Sequence, residues 1–260
     1  MRKSILYLII STTLPLLLAS CQKVINLNLS ASPSQIVIQG NVYDVPGPYV
    51  ITISKSVAFD QPNIFPPVSG ATVTIGDNTG FSEQLIEKEA GKYVTTGLQG
   101  VPGHTYTLTV NVDGDTYTAT SFMPQKVNLD SVYIDRTWAA MKVKMVAFQF
   151  QDPDSADNYY RMVLFKDSIQ QDNIIVFNNR FVQGKQIQSM LRLDDDTFTT
   201  GSLATLWLEC IDKDVYTFFS TAHNADGGST SPANPISNIS NGALGCFNAC
   251  TISAKSIITP

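Results

Sequence analysis

Between Thr105 and Phe122 the chain reads TYTLTVNVDGDTYTATSF, and this stretch leaves little choice of structure. Tyr106, Leu108, Val110 and Val112 alternate with Thr105, Thr107, Thr109 and Asn111, the period of two that buries one face of a β-strand. Asp113-Gly114 then makes a two-residue hairpin turn, because both residues tolerate positive φ, and DTYTATSF returns as the partner strand. The same grammar runs back through the preceding residues. GATVTIG places Ala71, Val73 and Ile75 on one face, while QIVIQGNVY and YVITISKS are separated by Pro46-Gly47-Pro48. GKYVTT follows. Short strands at this spacing, closing near Met123-Pro124, read as a sandwich.

A second series starts at VNLDSVYI. MKVKMVAFQFQD and NYYRMVLF are strong strands joined by the polar loop QDPDSAD, and DNIIVFNN and SLATLWLECID continue the pattern. In the last of these Leu206, Leu208 and Cys210 share one face and Trp207 takes the other. Val215, Phe218, Phe219 and Ala222 then fall at helical spacing, with Asp212 or Asp214 available as the N-cap. NADGGSTSPANPISNISNGALG is a long turn-forming segment, and CFNACTISAKSII reads as a final strand. The expected fold is mainly β: an immunoglobulin-like β-sandwich over 34–125, then a β-rich domain over 126–260 with at least one short helix.

The first residues belong to a different problem. Arg2 and Lys3 precede an apolar run from Ile5 to Leu18, which contains Pro15 and falls short of the roughly 20 residues a membrane-spanning helix needs. A charged start, an apolar middle and small residues at the end make a secretory signal. Leu18-Ala19-Ser20-Cys21 matches the bacterial lipobox, in which the chain is cut before the cysteine and its sulfur takes a diacylglycerol. Residues 1–20 therefore read as a lipoprotein signal peptide, Cys21 as the lipidation site and 21–33 as the tether. An ordinary signal peptide with Cys21 near the cut is the alternative. At about 0.8 kcal/mol per buried CH₂, two or three acyl chains hold a soluble domain firmly to a membrane.

Removing Arg2 and Lys3 with the signal moves the formal charge from −5 to −7. An acidic chain without a Lys/Arg cluster does not track a phosphate backbone, so nucleic acid is not an expected partner. Of the four cysteines, three remain once Cys21 is lipidated. Export permits one disulfide among them. On a single extended strand Cys246 and Cys250 would stand about 13 Å apart, too far for a bond. Cys210 paired with Cys246 or Cys250 is then the candidate. Cys246-x-x-x-Cys250 alone makes a poor metal site.

The blocks CQKVINLNL, IVIQGNV, VSGATVTI, GKYVTT with GVPGHTYTLTV, NYYR and NPISNISNGALGCFNA carry a resemblance. In order, they resemble the Bacteroidota outer-membrane lipoprotein family known as domain of unknown function 4249. The resemblance implies an outer-membrane, lipid-anchored protein accessory to a TonB-dependent transporter, on either the periplasmic or the cell-surface side. Surface-exported lipoproteins of this group carry acidic residues after the cysteine, where this chain has Gln22 and Lys23. Asp130-Ser131-Val132, Asp154-Ser155-Ala156 and Asp167-Ser168-Ile169 resemble the O-glycosylation pattern of the same bacteria, marking Ser131, Ser155 and Ser168.

Chemistry is sparse. The two histidines, His104 and His223, stand in no catalytic context, and no G-x-S-x-G or H-E-x-x-H occurs. Asp152, Asp154 and Asp157 could offer oxygens to Ca²⁺, but Ala156 stands where an EF-hand needs a ligand. Asp194-Asp195-Asp196 reads as a solvated turn. Tyr159, Tyr160 and Trp138 belong to a core or line a ligand surface. No catalytic residue, metal or cofactor is expected. The function read from the chain is therefore non-catalytic binding of a transporter partner or a nutrient. The alternatives are a hydrolase acting on envelope or nutrient polymers, or a structural or adhesive module. The loops of 126–260, QDPDSAD, RFVQGKQ and NADGGSTSPANPISN, are the expected contact surface.

Overall fold

The computed structural model describes residues 33–58, 61–135, 144–154, 157–193, 198–226 and 234–260. The signal segment, Cys21, Trp138, Ser155 and the Asp194–Asp196 run lie outside them. The first half supplies β1 (Ile36–Tyr43), β2 (Val50–Lys55), β3 (Thr72–Asp77), β4 (Ser82–Gln84), β5 (Ile86–Glu89), β6 (Lys92–Val94), β7 (Thr105–Val112) and β8 (Asp115–Phe122). The second supplies β9 (Leu129–Asp135), β10 (Lys144–Gln151), β11 (Tyr159–Lys166), β12 (Ile169–Gln170), β13 (Ile175–Asn178), β14 (Gln186–Leu193) and β15 (Leu203–Ile211). Helix α1 (Lys213–Asp226) and β16 (Leu244–Ile258) complete it. The fold is mainly β, as the alternation predicts. The β7–β8 turn has positive φ at both Asp113 and Gly114, and the hairpin zips from Val112↔Asp115 to Thr105↔Phe122.

Strands β4-β3-β7-β8 form one sheet, β14-β10-β9 a second, and a nine-stranded sheet runs β12-β11-β15-β16-β1-β2-β6-β5, with β13 also on β11. The large sheet packs against both of the others. Ile38, Ile51 and Tyr93 from it meet Val73, Leu108 and Ala119 in the first core. Met162, Leu206 and Leu208 meet Val146, Phe148 and Phe150 in the second. On the opposite face of the large sheet, α1 covers a third cluster containing Val215, Cys246 and Cys250.

The boundary expected near residue 125 does not separate two independent bodies, because residues 34–260 form one compact unit. The cause is β16. Its first seven residues pair in parallel with β1, from Val37↔Leu244 to Tyr43↔Cys250, and the same strand continues antiparallel to β15 from Cys210↔Thr251 to Leu203↔Ile258. A strand covered on both faces runs mostly apolar or small, and residues 245–253 are all buried, with Asn248 the larger polar exception, bonded to Asn41. Gly245 is obligatory there, because its φ is +103 and any Cβ would fall only 2.0 Å from the Ile38 carbonyl oxygen. Ile239, Ala243, Phe247 and Ala249 all enter the first core from the far end of the sequence.

Register also explains why the cysteines do not bond. Cys210, Cys246 and Cys250 are free thiols. Cys210 stands opposite Thr251, so the adjacent Cys250 projects from the other face of the sheet. The two thiols belong to different cores.

A candidate binding recess at the amino end of the helix

Asp152 directly follows β10 and is buried. Its carboxylate accepts hydrogen bonds from the Tyr160 hydroxyl, from Asn158 Nδ2 at 3.2 Å, from Asn179 Nδ2 at 3.0 Å and from the Gly184 N–H at 3.1 Å. Four donors satisfy a buried carboxylate, and they leave no oxygen free for a cation, so the Ca²⁺ idea fails at its first ligand. What Asp152 does instead is tie QDPDSAD to RFVQGKQ. Burial raises the Tyr160 phenol well above its ordinary value and the Asp152 contact adds to it, which keeps this donor protonated.

The ends of these loops meet α1. Asp212 caps the helix, accepting the Val215 N–H at 2.9 Å through Oδ1. Its Oδ2 accepts the Ser121 hydroxyl at 2.5 Å and the Phe122 N–H at 2.9 Å, which fastens the helix to β8. Ser121 in turn accepts the Ala249 N–H at 2.9 Å. Burial raises the Asp212 carboxyl, with these donors opposing it.

Two recesses open beside this joint. One, of about 450 Å³, is walled by Phe122, Pro124, Val127, Tyr160, Cys210 and Ile211 and bordered by Asp157, Tyr159 and Lys213. The other, of about 420 Å³, shares Asp157, Tyr159 and Lys213 and adds Asn178, Asn179, Arg180, Tyr216 and Thr217. The first is apolar-walled and the second polar, and each volume is in the range of small-ligand sites. Phe181, next to Arg180 in the loop held by Asp152, is 86% exposed, and the Arg180 guanidinium lies 5.8 Å from its ring centre. An aromatic displayed to water on a fastened loop is the kind of anchor interfaces use.

Burial raises the Cys210 thiol, which disfavours the nucleophilic thiolate. Neither histidine borders the recesses. His104 Nδ1 lies 2.9 Å from Asp77 Oδ2 at a turn of the first sandwich, and His223 is exposed in the last turn of α1. Among the described residues no three His, Cys, Asp or Glu side chains converge as metal ligands, and no helix is long and apolar enough to cross a membrane.

Of the marked serines, Ser168 is exposed in the β11–β12 turn with φ 72. Ser131 is half-buried on β9 and lies 3.3 Å from Gln149 Oε1. Tyr160 is core and recess wall together, while Tyr159 borders both recesses. Arg180, Lys213 and Tyr216 escape a linear reading, since only the folded loop and the helix register bring them together.

These features define a mainly β protein whose two sandwiches share one sheet, with a ligand-sized recess where the halves join. The chain belongs to the family described as Domain of unknown function (DUF4249), whose profile matches residues 22–256. No curated protein matches the chain.

Proposed function

We propose that this chain is a non-catalytic envelope lipoprotein, anchored to the outer membrane through Cys21. In this reading it assists a TonB-dependent transporter by binding the transporter or its nutrient with the recess at the amino end of α1. The observation that carries the reading is the Asp152 knot, which brings two of the long loops of the second half against paired apolar and polar cavities. Buried polar networks of this kind hold a recognition surface in one geometry. The transporter and the envelope come from the family resemblance. The recess supports binding and leaves the ligand open.

The test is affinity purification from native membranes, with the parent chain beside Phe181→Ala and Lys213→Glu. Both side chains are exposed, so the variants keep the fold, which a thermal melt verifies. Loss of a co-purifying transporter, or of a bound nutrient, from the folded variants supports the recess. Undiminished capture by both variants places the contact elsewhere and defeats this reading.

A further inference from the structure

The loop between β2 and β3 presents an apolar tip that the recess does not use. Ile64 is 77% and Phe65 is 53% exposed, and no charged residue occurs between Gln61 and Ser69. Residues 61–68 are tied down. Ile64 N–H donates to the Pro62 carbonyl at 2.6 Å, Lys55 N–H to Pro66 at 2.9 Å and Val68 N–H to Ile53 at 2.9 Å. Pro62, Pro66 and Pro67 fix φ around the tip. Gly91 closes the base, since a Cβ there would sit 2.9 Å from Pro67 Cβ. A fastened segment holding two large apolar side chains in water has been given a partner surface to meet.

Its position says which surface. The folded unit begins at Ser34. The Ser34 hydroxyl donates to the Ser56 carbonyl at 2.7 Å, and Ser56 N–H donates to the Gln35 carbonyl at 2.9 Å. Gln35 and Pro66 therefore bond consecutive residues at the end of β2, one on each side. At the usual strand spacing their chains lie about 10 Å apart. The apolar tip thus stands beside the point where the chain leaves for Cys21, and the covalent path from Cys21 to Ser34 is at most about 45 Å. We propose that Ile64 and Phe65 insert into the lipid surface to which Cys21 anchors the chain, making a second contact that fixes which end of the domain faces the bilayer. This inference rests on the lipoprotein reading of Cys21. It is independent of the recess.

The direction of β16 supplies a control. Its first residue, Leu244, pairs with Val37 beside the tether, and its last, Ile258, is 59% exposed about 45 Å further along the strand. The acylated chain is prepared as Ile64→Cys, Phe65→Cys and Ile258→Cys, each labelled with an environment-sensitive dye. The native cysteines of the folded unit are buried, so the label goes to the introduced thiol. Each protein is bound to vesicles of phosphatidylethanolamine and phosphatidylglycerol, with and without a nitroxide on the lipid acyl chain. The expected result is a blue shift and nitroxide quenching at 64 and 65, with neither at 258. Acylated chains that float with the vesicles while 64 and 65 stay unquenched overturn the insertion and leave the lipoprotein reading standing, with the tip free for a protein partner or a second copy. A Cys21 that mass spectrometry finds without acyl groups overturns the lipoprotein reading, and the inference falls with it.

Discussion

Arg161 of β11 and Glu209 of β15 form an ion pair of 3.0 Å with side chains 10% and 1% exposed, and the guanidinium lies 4.0 Å from the centre of the Phe219 ring on α1. Burial holds the Glu209 carboxyl above its ordinary value, and Arg161 offsets only part of that rise. Removing one member of such a pair costs about 3–5 kcal/mol, because the other charge is stranded, whereas replacing both with apolar side chains is close to neutral. Arg161→Met is therefore expected to lower unfolding free energy by about that amount, with the loss shrinking as pH falls and Glu209 takes up a proton. Arg161→Met with Glu209→Leu is expected to recover most of it. Urea melts of the three proteins decide this, and a double variant as unstable as the single one would defeat the account. Asp77 makes the opposite case. Burial alone would raise its carboxyl, but Thr79, His104 and the Thr79 and Phe81 N–H groups bring it to about 2 from an ordinary 3.8. A depressed carboxyl contributes stability above its unfolded value and loses it as pH falls through the folded value. The Tm gap between the parent and Asp77→Asn should accordingly be full at neutral pH and close between about pH 4 and pH 2. A gap that persists at pH 2 would assign the effect to packing. Both charged strands are visible in the linear chain as single charges within apolar runs, NYYRMVLF and LATLWLEC. Their partnership is not, because it depends on the register Arg161↔Glu209.

At the scale of elements, legibility follows how local the cause is. Strand β7 is written in its own alternation and α1 in its spacing and cap, so both are predicted where they stand. The strand β14, QIQSMLRL, shows a weak alternation because Ser189 shares the face of Ile187, Leu191 and Leu193 while Met190, on the other face, is 40% exposed, and the linear reading passes over it. The N-cap is legible as a residue type, but its second role is not, since Ser121 lies 91 positions away. Asp212→Ala removes the cap, worth about 1 kcal/mol, and also strands the buried Ser121 hydroxyl and the Phe122 N–H, worth about another 1–3 kcal/mol. Asp212→Asn keeps one acceptor oxygen, so it should fall between the parent and the alanine variant. Chemical denaturation gives the order. Hydrogen exchange should show α1 amides opening before the β7–β8 hairpin in the alanine variant. An alanine variant with the parent's stability would mean that the helix is fastened by its apolar face alone.

The whole molecule is less legible than its parts because its unity comes from contacts between residues about two hundred positions apart, such as Asn248 Nδ2 to Asn41 Oδ1 at 3.1 Å and Ile252 N–H to Asp44 Oδ1 at 2.8 Å. Periodicity reports the neighbours of a residue on its own strand. It carries no information about which strand lies alongside, and a parallel pairing of the first strand with the last leaves no turn between them to read. The consequence is testable by cutting the chain at the expected boundary. A fragment of residues 34–125 lacks Phe247 and Ile239, each of which contributes about 1.5–3 kcal/mol through burial, and it leaves β1 without the partner it pairs over seven residues. Those losses approach the 5–15 kcal/mol that a domain has in total. The complementary fragment keeps the second core but exposes the β1-facing edge of β16. Neither piece alone is expected to show a cooperative urea transition, while the two co-expressed should associate and melt as one. Addition of residues 234–260 to the first fragment should restore part of its transition, since that segment supplies Ile239, Ala243, Phe247 and Ala249 to the first core. A steep, reversible transition for 34–125 by itself would show that the first sandwich is self-sufficient, and that β16 joins a unit already folded rather than completing one.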